Sequence, residues 1–243
     1  MPELSIILPS FNEEQHLPET LEKLHDVVTQ TSLDVETIVL DDESQDKTLE
    51  VATDLAARYP ALHVRVFHHV RQRVGFGAVA RFGIAHARGR YCCFVSADGV
   101  DPVELIPEFV KRLRAGAHQV QCSRYIRAAD ARSVPRKYRI YQSVYRRLVR
   151  WLLGREITDS TYAFRAFDRV YVQALGLTSN RFSLCPEITF KIVLSGGVSE
   201  LIPGQPAPYD AGGSNKFKLS NETLGYAYVL LRAWMHQRKL YWF

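Results

Sequence analysis

The sequence predicts an α/β protein whose mainly parallel central sheet is covered by helices on both faces. Two observations carry this. Continuous apolar runs of strand length alternate with segments of helical period through the first 125 residues. The connections between them are short, so crossover helices must join successive strands, and this favours parallel pairing. A third observation bears on function: polar and acidic residues recur at the carboxyl ends of the runs, where open α/β sheets bind ligands.

In order, LSIILPS (4–10) is an unbroken apolar run closed by Pro9 and Ser10, hence a buried strand. EEQHLPETLEKLHDVV (13–28) sets Leu17, Leu21, Leu24 and Val28 at helical spacing. VETIVLDD (35–42) is a second buried strand, and DKTLEVATDLAARY (46–59) a second helix with Asp46 as N-cap. HVRVFHH (63–69) alternates and reads as a strand. VGFGAVARFGIAHARG (74–89) is a helix opened by glycines, and YCCFVSA (91–97) a fourth strand. Helical PVELIPEFVKRLRAG (102–116) and strand-like HQVQCSRY (118–125) follow.

Beyond Tyr125 the pattern changes. YIRAADARSVPRKYR (125–139) is polar and rich in breakers, so it reads as a mobile loop. YRIYQSVYRRLVRWLLG (138–154) is an amphipathic helix, with Tyr141, Val144, Tyr145, Leu148 and Leu152 on one face and Arg139, Arg146 and Arg150 opposite. Residues 157–219 hold short elements, and NETLGYAYVLLRAWMHQRKLYWF (221–243) is helical with Asn221 as N-cap. There is no repeat or linker, which predicts one domain over 1–219 and a C-terminal amphipathic helix over 220–243, packed on it or on a membrane surface.

Composition narrows the class. At 47% hydrophobic and 23% charged, 243 residues suffice for one well-buried domain and exclude a disordered or fibrous chain. MPELSIILPS lacks the basic start and cleavage site of a signal peptide, and no apolar run reaches the roughly 18 residues of a membrane span. Cys92, Cys93, Cys122 and Cys185 lack metal-site spacing and read as buried reduced thiols, which predicts a cytoplasmic protein. Charge is uneven: residues 121–155 carry ten Lys or Arg against Asp130 alone, a local +9 within a net +5. Such a segment faces either solvent or an anionic partner such as phosphate or a membrane surface. It lacks the interleaved aromatics of RNA-binding modules, so nucleic acid is not expected.

"ILPSFNEE", "VLDDESQDKT", "GFGAVARFGIAHARG" and "SADGVDP", followed by "CSRY", "TDSTYAFRAF", "CPEITFKI" and "GGSNKFK", occur in the order found in family 2 glycosyltransferases. Together they resemble the dolichyl- and polyprenyl-phosphate sugar synthase branch, over Leu4 to about Lys216. The resemblance implies the GT-A fold, a Rossmann-like three-layer αβα sandwich. It further implies an inverting transfer of sugar from a nucleoside-diphosphate sugar donor, with Mg²⁺ or Mn²⁺.

What the resemblance implies for residues is specific. Pro9 and Phe11 wall the base, Glu13 lies near the ribose, and Asp41 or Asp42 accepts a base N–H. Gly75 and Gly77 let backbone approach the ligand and open a helix; a plain helix start is the alternative. "SADGVDP" falls on the metal motif, with Ser96 where the first aspartate usually stands. Asp98 then holds the cation, and Ser96, water or Asp101 completes its shell, while small Ala97 and Gly99 admit the diphosphate. Arg124 forks a phosphate, and Lys216 clamps one beneath a closing loop, although Asp210 stands where the family has an arginine. Asp159 and Arg165 brace the site floor. Glu187 is either a general base or a buried helix-end carboxylate.

The acceptor implied first is a polyprenyl or other lipid phosphate at the cytoplasmic membrane face; a sugar or small-molecule hydroxyl is the alternative, as is an impaired nucleotide-sugar-binding protein. Trp234, Tyr241, Trp242 and Phe243 dock either on a membrane interface or on protein. His68 and His69 lack zinc spacing and read as structural. The base, the sugar and the oligomeric state are not written in the sequence.

Overall fold

The computed structural model describes all residues except 69–74, 128–129, 205–218 and 241–242. Among the described residues, seven strands form one sheet in the order β3-β2-β1-β4-β6-β5-β7. They are β1 (Leu4–Ser10), β2 (Val35–Asp41), β3 (Val64–His68), β4 (Tyr91–Phe94), β5 (Gln119–Ser123), β6 (Arg165–Asp168) and β7 (Ser199–Pro203). Only β6 runs antiparallel, between β4 and β5. The α-helices of the described residues are α1 (Leu17–Thr31), α2 (Thr48–Arg58), α3 (Phe76–His86), α4 (Ile106–Arg114), α5 (Arg136–Leu153), α6 (Arg169–Ala174), α7 (Leu184–Leu194) and α8 (Leu219–Gln237).

Alternation along β1 explains the layers. Leu4, Ile6 and Leu8 point into one core with α1, α2 and α4. Ile7 points into the other, with Ile38, Leu40 and residues of α3, α6 and α7. The αβα sandwich predicted from the sequence is thus present. A third cluster joins Tyr145, Val149 and Leu153 of α5 to Tyr226, Val229, Leu230 and Ala233 of α8, over Phe190 of α7.

The parallel strands β1, β2 and β3 end together, Ser10 opposite Asp41 and Asp41 opposite His68, while β4 stops earlier, with Phe94 opposite Ile7. Connections run outward from β1 to β2 and β3 on one side, and β4 lies on the other. The switch point of the sheet therefore lies between β1 and β4, where a crevice opens outside the strand ends.

Four local expectations are refined. Lys47 holds the N-cap position of α2 without a side-chain cap, and Asp46, one residue earlier, accepts from Thr48 N with Oδ1 at 3.0 Å, so the expected acid does serve the start of the helix. The strand in YCCFVSA spans only Tyr91–Phe94, with one further bond from Val95 N to Ile7 O before the chain leaves the sheet. The basic stretch before α5 is not wholly loop: a short 3₁₀ turn spans Asp130–Ser133. Finally, α5 buries Gln142, Tyr145, Val149 and Leu153, while Val144 and Leu148 are exposed. The apolar face read from sequence merges two sides of that helix, and only one packs on protein.

Gly77 also differs from expectation. A Cβ there would lie 2.6 Å from the carbonyl oxygens of Ser179 and Arg181, so the chain needing close approach is the 179–181 backbone, not a ligand. Gly77→Ala should force the start of α3 off that loop, at a cost of roughly 1–3 kcal/mol. For a chain of this size that lowers the melting temperature by several degrees, about 2–4 °C per kcal/mol. An unchanged melt would show that the loop yields freely.

Candidate active site

The crevice is built by two loops strapped to each other. The segment after β1 and the segment after β2 exchange backbone-to-side-chain hydrogen bonds: Asn12 N to Ser44 Oγ at 2.9 Å, Gln45 N to Asn12 Oδ1 at 2.8 Å, and Glu13 N to Thr48 Oγ1 at 2.7 Å. Glu14 N donates to Asp46 Oδ2 and Lys47 N to Glu14 Oε2. Asp46 thus ties two loops together, which accounts for an acid at that position. Asn12 and Glu43 adopt left-handed backbone at φ 53° and 58°, a conformation kept only where surroundings enforce it.

Asp41 ends β2 with 1% of its surface exposed. His68 Nδ1 lies 2.8 Å from its Oδ2. Its Oδ1 is buried and makes no hydrogen bond among the described residues, an unusual state for a carboxylate oxygen and one that suits an incoming N–H donor. Pro9 and Phe11, half-buried, lie at and just beyond the end of the adjacent strand β1. Asp42 is buried, and its amide donates to Ser10 O at 2.9 Å, continuing the pairing one residue past the strand. Glu13 is buried, with Oε2 3.1 Å from His16 Nδ1. His68 is a residue the sequence reading missed, having taken it as structural; His69 lies outside the described residues.

Beyond β4, Val95 N still bonds Ile7 O, and the chain then turns through Ser96, Ala97, Asp98 and Gly99. Ala97 is buried, and its carbonyl accepts from Thr20 Oγ1 at 3.0 Å. Gly99 takes φ +73°, which side chains rarely adopt, so the turn that presents Asp98 depends on glycine. Asp98 is half-exposed, with Val100 N 3.4 Å from Oδ1.

Asp101 faces inward. Its Oδ2 accepts from Ser96 N at 2.7 Å and its Oδ1 from Tyr162 Oη at 2.5 Å. Burial pushes its carboxyl above the ordinary value, against the hydrogen bonds from Tyr162 and Ser96. Asp101 therefore positions the turn, with both of its oxygens engaged within the protein. Among the described residues no three His, Cys, Asp or Glu side chains are grouped to hold a metal alone. One half-exposed carboxylate on a fixed turn does suit a hard cation that takes most of its oxygens from substrate phosphates and water.

Arg124 follows β5 and is buried. Its fork is directed at Asp159: Nε to Oδ2 at 2.7 Å and Nη2 to Oδ1 at 3.1 Å, with Nη2 also donating to Thr161 Oγ1. The bidentate face expected on phosphate is thus spent on a fully buried acid. Burial would raise the Asp159 carboxyl, but the Arg124 guanidinium and the amide donors outweigh it and hold it below the ordinary value. The Tyr162 ring lies 4.7 Å from the Arg124 guanidinium, so Asp101, Tyr162, Arg124 and Asp159 form one connected wall.

Arg165 braces another part of the floor. It is fully buried and donates to Cys185 O at 2.7 Å, Thr189 Oγ1 at 2.8 Å and Ser160 O at 3.1 Å, pinning α7 to the 160–162 turn. Glu187 is likewise buried. Its oxygens accept from Thr178 N, Thr178 Oγ1 and Ser179 N at 2.8–3.0 Å, and Lys191 Nζ is 3.2 Å away. Burial opposes its charge, yet the Ser179 and Thr178 donors and Lys191 hold its carboxyl below the ordinary value. Of the two readings the sequence left open, these bonds match the helix-end brace. Lys216 and Asp210 lie outside the described residues.

A sheet with its switch point between β1 and β4, and with acids at neighbouring strand ends, defines a GT-A fold protein. The Glycosyl transferase family 2 model matches residues 5–176, and the chain belongs to that family. A dolichol-phosphate mannosyltransferase of Pyrococcus furiosus is 27% identical over 198 residues, 77% of this chain and 52% of its own length. A dolichyl-phosphate beta-glucosyltransferase of Drosophila melanogaster is 40% identical over 102 residues, 40% of this chain and 31% of its own. A polyprenol monophosphomannose synthase of Mycolicibacterium smegmatis is 30% identical over 178 residues, covering 72% of this chain and 64% of its own. The chain thus spans about half the length of the first of these relatives and a third of the second. In fold it is similar to glucosyl-3-phosphoglycerate synthase from Mycobacterium tuberculosis, solved with Mn²⁺ and UDP-glucose, at a TM-score of 0.67 and 20% identity over 97% of this chain and 79% of that one. These relatives agree with the polyprenyl-phosphate branch that the motifs resemble.

Proposed function

We propose that this protein transfers a sugar, with inversion, from a nucleoside-diphosphate sugar to a polyprenyl phosphate at the cytoplasmic membrane face. The observation that carries the donor half is the buried Oδ1 of Asp41 at the end of β2, unpartnered among the described residues. Uracil and guanine both bring an N–H that satisfies it, with Pro9 and Phe11 beside the base and Glu13 nearer the ribose. His68, 2.8 Å from the other oxygen, fixes the rotation of the carboxylate. It is a positioning residue.

A divalent cation, Mg²⁺ or Mn²⁺, would be held by Asp98 and would neutralise the charge developing on the departing diphosphate. Asp101 keeps the Ser96–Asp98 turn in place, and Ala97 and Gly99 leave its surface low enough for a diphosphate. The Arg124–Asp159 pair fixes the opposite wall and contributes little net charge. The acceptor oxygen attacks the anomeric carbon as the bond to the diphosphate breaks. A lipid phosphate is already anionic, so no proton need be removed, in keeping with Glu187 being tied to the 178–179 backbone. The names of the relatives support this acceptor over a sugar hydroxyl.

The test is product formation from UDP- and GDP-sugars with polyprenyl phosphate and Mn²⁺, with free glucose and mannose as competing acceptors. A sugar linked to polyprenyl phosphate is the expected product; transfer only to the free sugars would overturn the acceptor assignment. Asp41→Asn replaces one buried acceptor oxygen by a donor. It should weaken donor binding by about tenfold to a hundredfold, the worth of one lost hydrogen bond plus an unsatisfied group. Thermal shift against the nucleotide alone reads this directly.

A further inference from the structure

Helix α5 has one apolar side more than the fold uses. Gln142, Tyr145, Val149 and Leu153 face the protein. On the opposite side Ile140, Val144, Leu148 and Trp151 are 57%, 51%, 42% and 78% exposed. They recur at i, i+4, i+8 and i+11, a single stripe along about 16 Å of helix. The same helix carries six Lys or Arg and no acid. Beside the stripe lies a cavity of about 230 Å³ whose lining includes Arg146, Arg147, Arg150 and Thr158, with Glu156 its one acid. The Arg146 guanidinium lies 4.9 Å from the Tyr125 ring, and its Nε is buried with no hydrogen bond among the described residues. Helix α8, packed on α5, turns Leu224, Tyr228 and Leu231 outward at 79%, 59% and 49% exposure.

We infer that α5 docks this protein on an anionic lipid bilayer, its outward stripe entering the acyl boundary and the arginine cavity receiving a lipid phosphate. Charge and hydrophobicity together select this occupant. A second copy of the chain would set two acid-free basic helices face to face, which like-charge repulsion opposes. A nucleic acid would satisfy the arginines and leave the stripe in water. Only an anionic interface accepts both, as amphipathic basic helices do. The inner side of α5 also serves the site: the Gln142 amide donates to Thr161 Oγ1, which accepts from Arg124 as well. One helix thus joins the docking face to the wall of the crevice, and a lipid-borne acceptor would arrive there without leaving the membrane surface. The inference takes its functional sense from the lipid-phosphate reading, but docking is measurable without donor or acceptor.

The experiment is co-sedimentation of the full chain with phosphatidylcholine vesicles, with and without phosphatidylglycerol, and no sugar nucleotide present. The chain is expected to pellet with the anionic vesicles, several-fold less with phosphatidylcholine alone, and less as salt rises. Leu148→Ser with Trp151→Ser should lower partitioning at least about tenfold, with melting temperature and nucleotide binding unchanged. Arg146→Gln with Arg150→Gln should also lower it about tenfold or more, and should abolish the preference for anionic lipid. The inference is overturned by wild type that stays in the supernatant, by a stripe variant that pellets like wild type, or by a wild-type dimer that the stripe variant dissolves. A salt-sensitive shift with RNA in place of vesicle binding would do so too. Failure of sugar transfer with vesicle binding intact would count against the proposed function and leave the docking face standing.

Discussion

Asp98→Ala is expected to reduce sugar transfer by about 10²–10³-fold, the usual scale for losing one group that stabilises transition-state charge. The reason is arithmetic of ligands. Ser96 stands at the other acidic position of the motif, and Asp101 is committed to Ser96 N and Tyr162 Oη, so Asp98 is the remaining carboxylate on the turn. A cation with one protein carboxylate loses its protein anchor when that carboxylate goes. Folding should hardly notice, because Asp98 is half-exposed on a surface turn. Such substitutions usually change stability by no more than about 0.5 kcal/mol. Activity measured beside a thermal melt separates the two effects. Activity within a few-fold of wild type would remove Asp98 from the reaction.

The second large effect is on stability. Asp159→Ala leaves the Arg124 guanidinium buried without its counter-charge, and breaking a buried pair from one side costs roughly 3–5 kcal/mol. For a chain of this length the melting temperature should fall by about 6–20 °C. Replacing both members with apolar residues, Arg124→Met and Asp159→Leu, should recover much of that loss, because the penalty lies in the stranded charge. pH gives an independent check. The Asp159 carboxyl titrates below its ordinary 3.8 in the folded chain. Its contribution is therefore complete above that ordinary value and lost as pH falls through the lower, folded one. Asp159→Asn should flatten acid unfolding in that window; an unaltered acid limb would mean that the pair contributes nothing there.

How legible the molecule was depends on the range of each interaction. The strands β1, β2 and β4 announce themselves as continuous apolar runs, and once they are parallel their carboxyl ends must share an edge. Asp41 and Asp98 could therefore be brought together from sequence order alone. The partner of Asp41 could not. His68 reaches it only through the register of β3 on β2, which spacing along the chain does not encode. Arg124 and Asp159 are 35 residues apart and meet because β6 inserts antiparallel between β4 and β5, a strand too short to show period. Glu187 and Gly77 mislead for a related reason: both serve the 178–181 turn, whose closeness to α3 and α7 is a tertiary fact. On α5, apolar residues on two sides gave a single broad face by period, and only packing shows which side the protein covers.

The central claim is that the crevice over β1, β2 and β4 receives a sugar nucleotide together with a divalent cation. Titration of the chain with UDP- and GDP-sugars, with and without Mn²⁺, tests it most directly. The account predicts that one of them binds, that Mn²⁺ tightens binding at least about tenfold, and that Asp98→Ala erases the metal's contribution while Asp41→Asn weakens the nucleotide with or without metal. Binding that ignores both Mn²⁺ and the loss of the Asp98 carboxylate would contradict it.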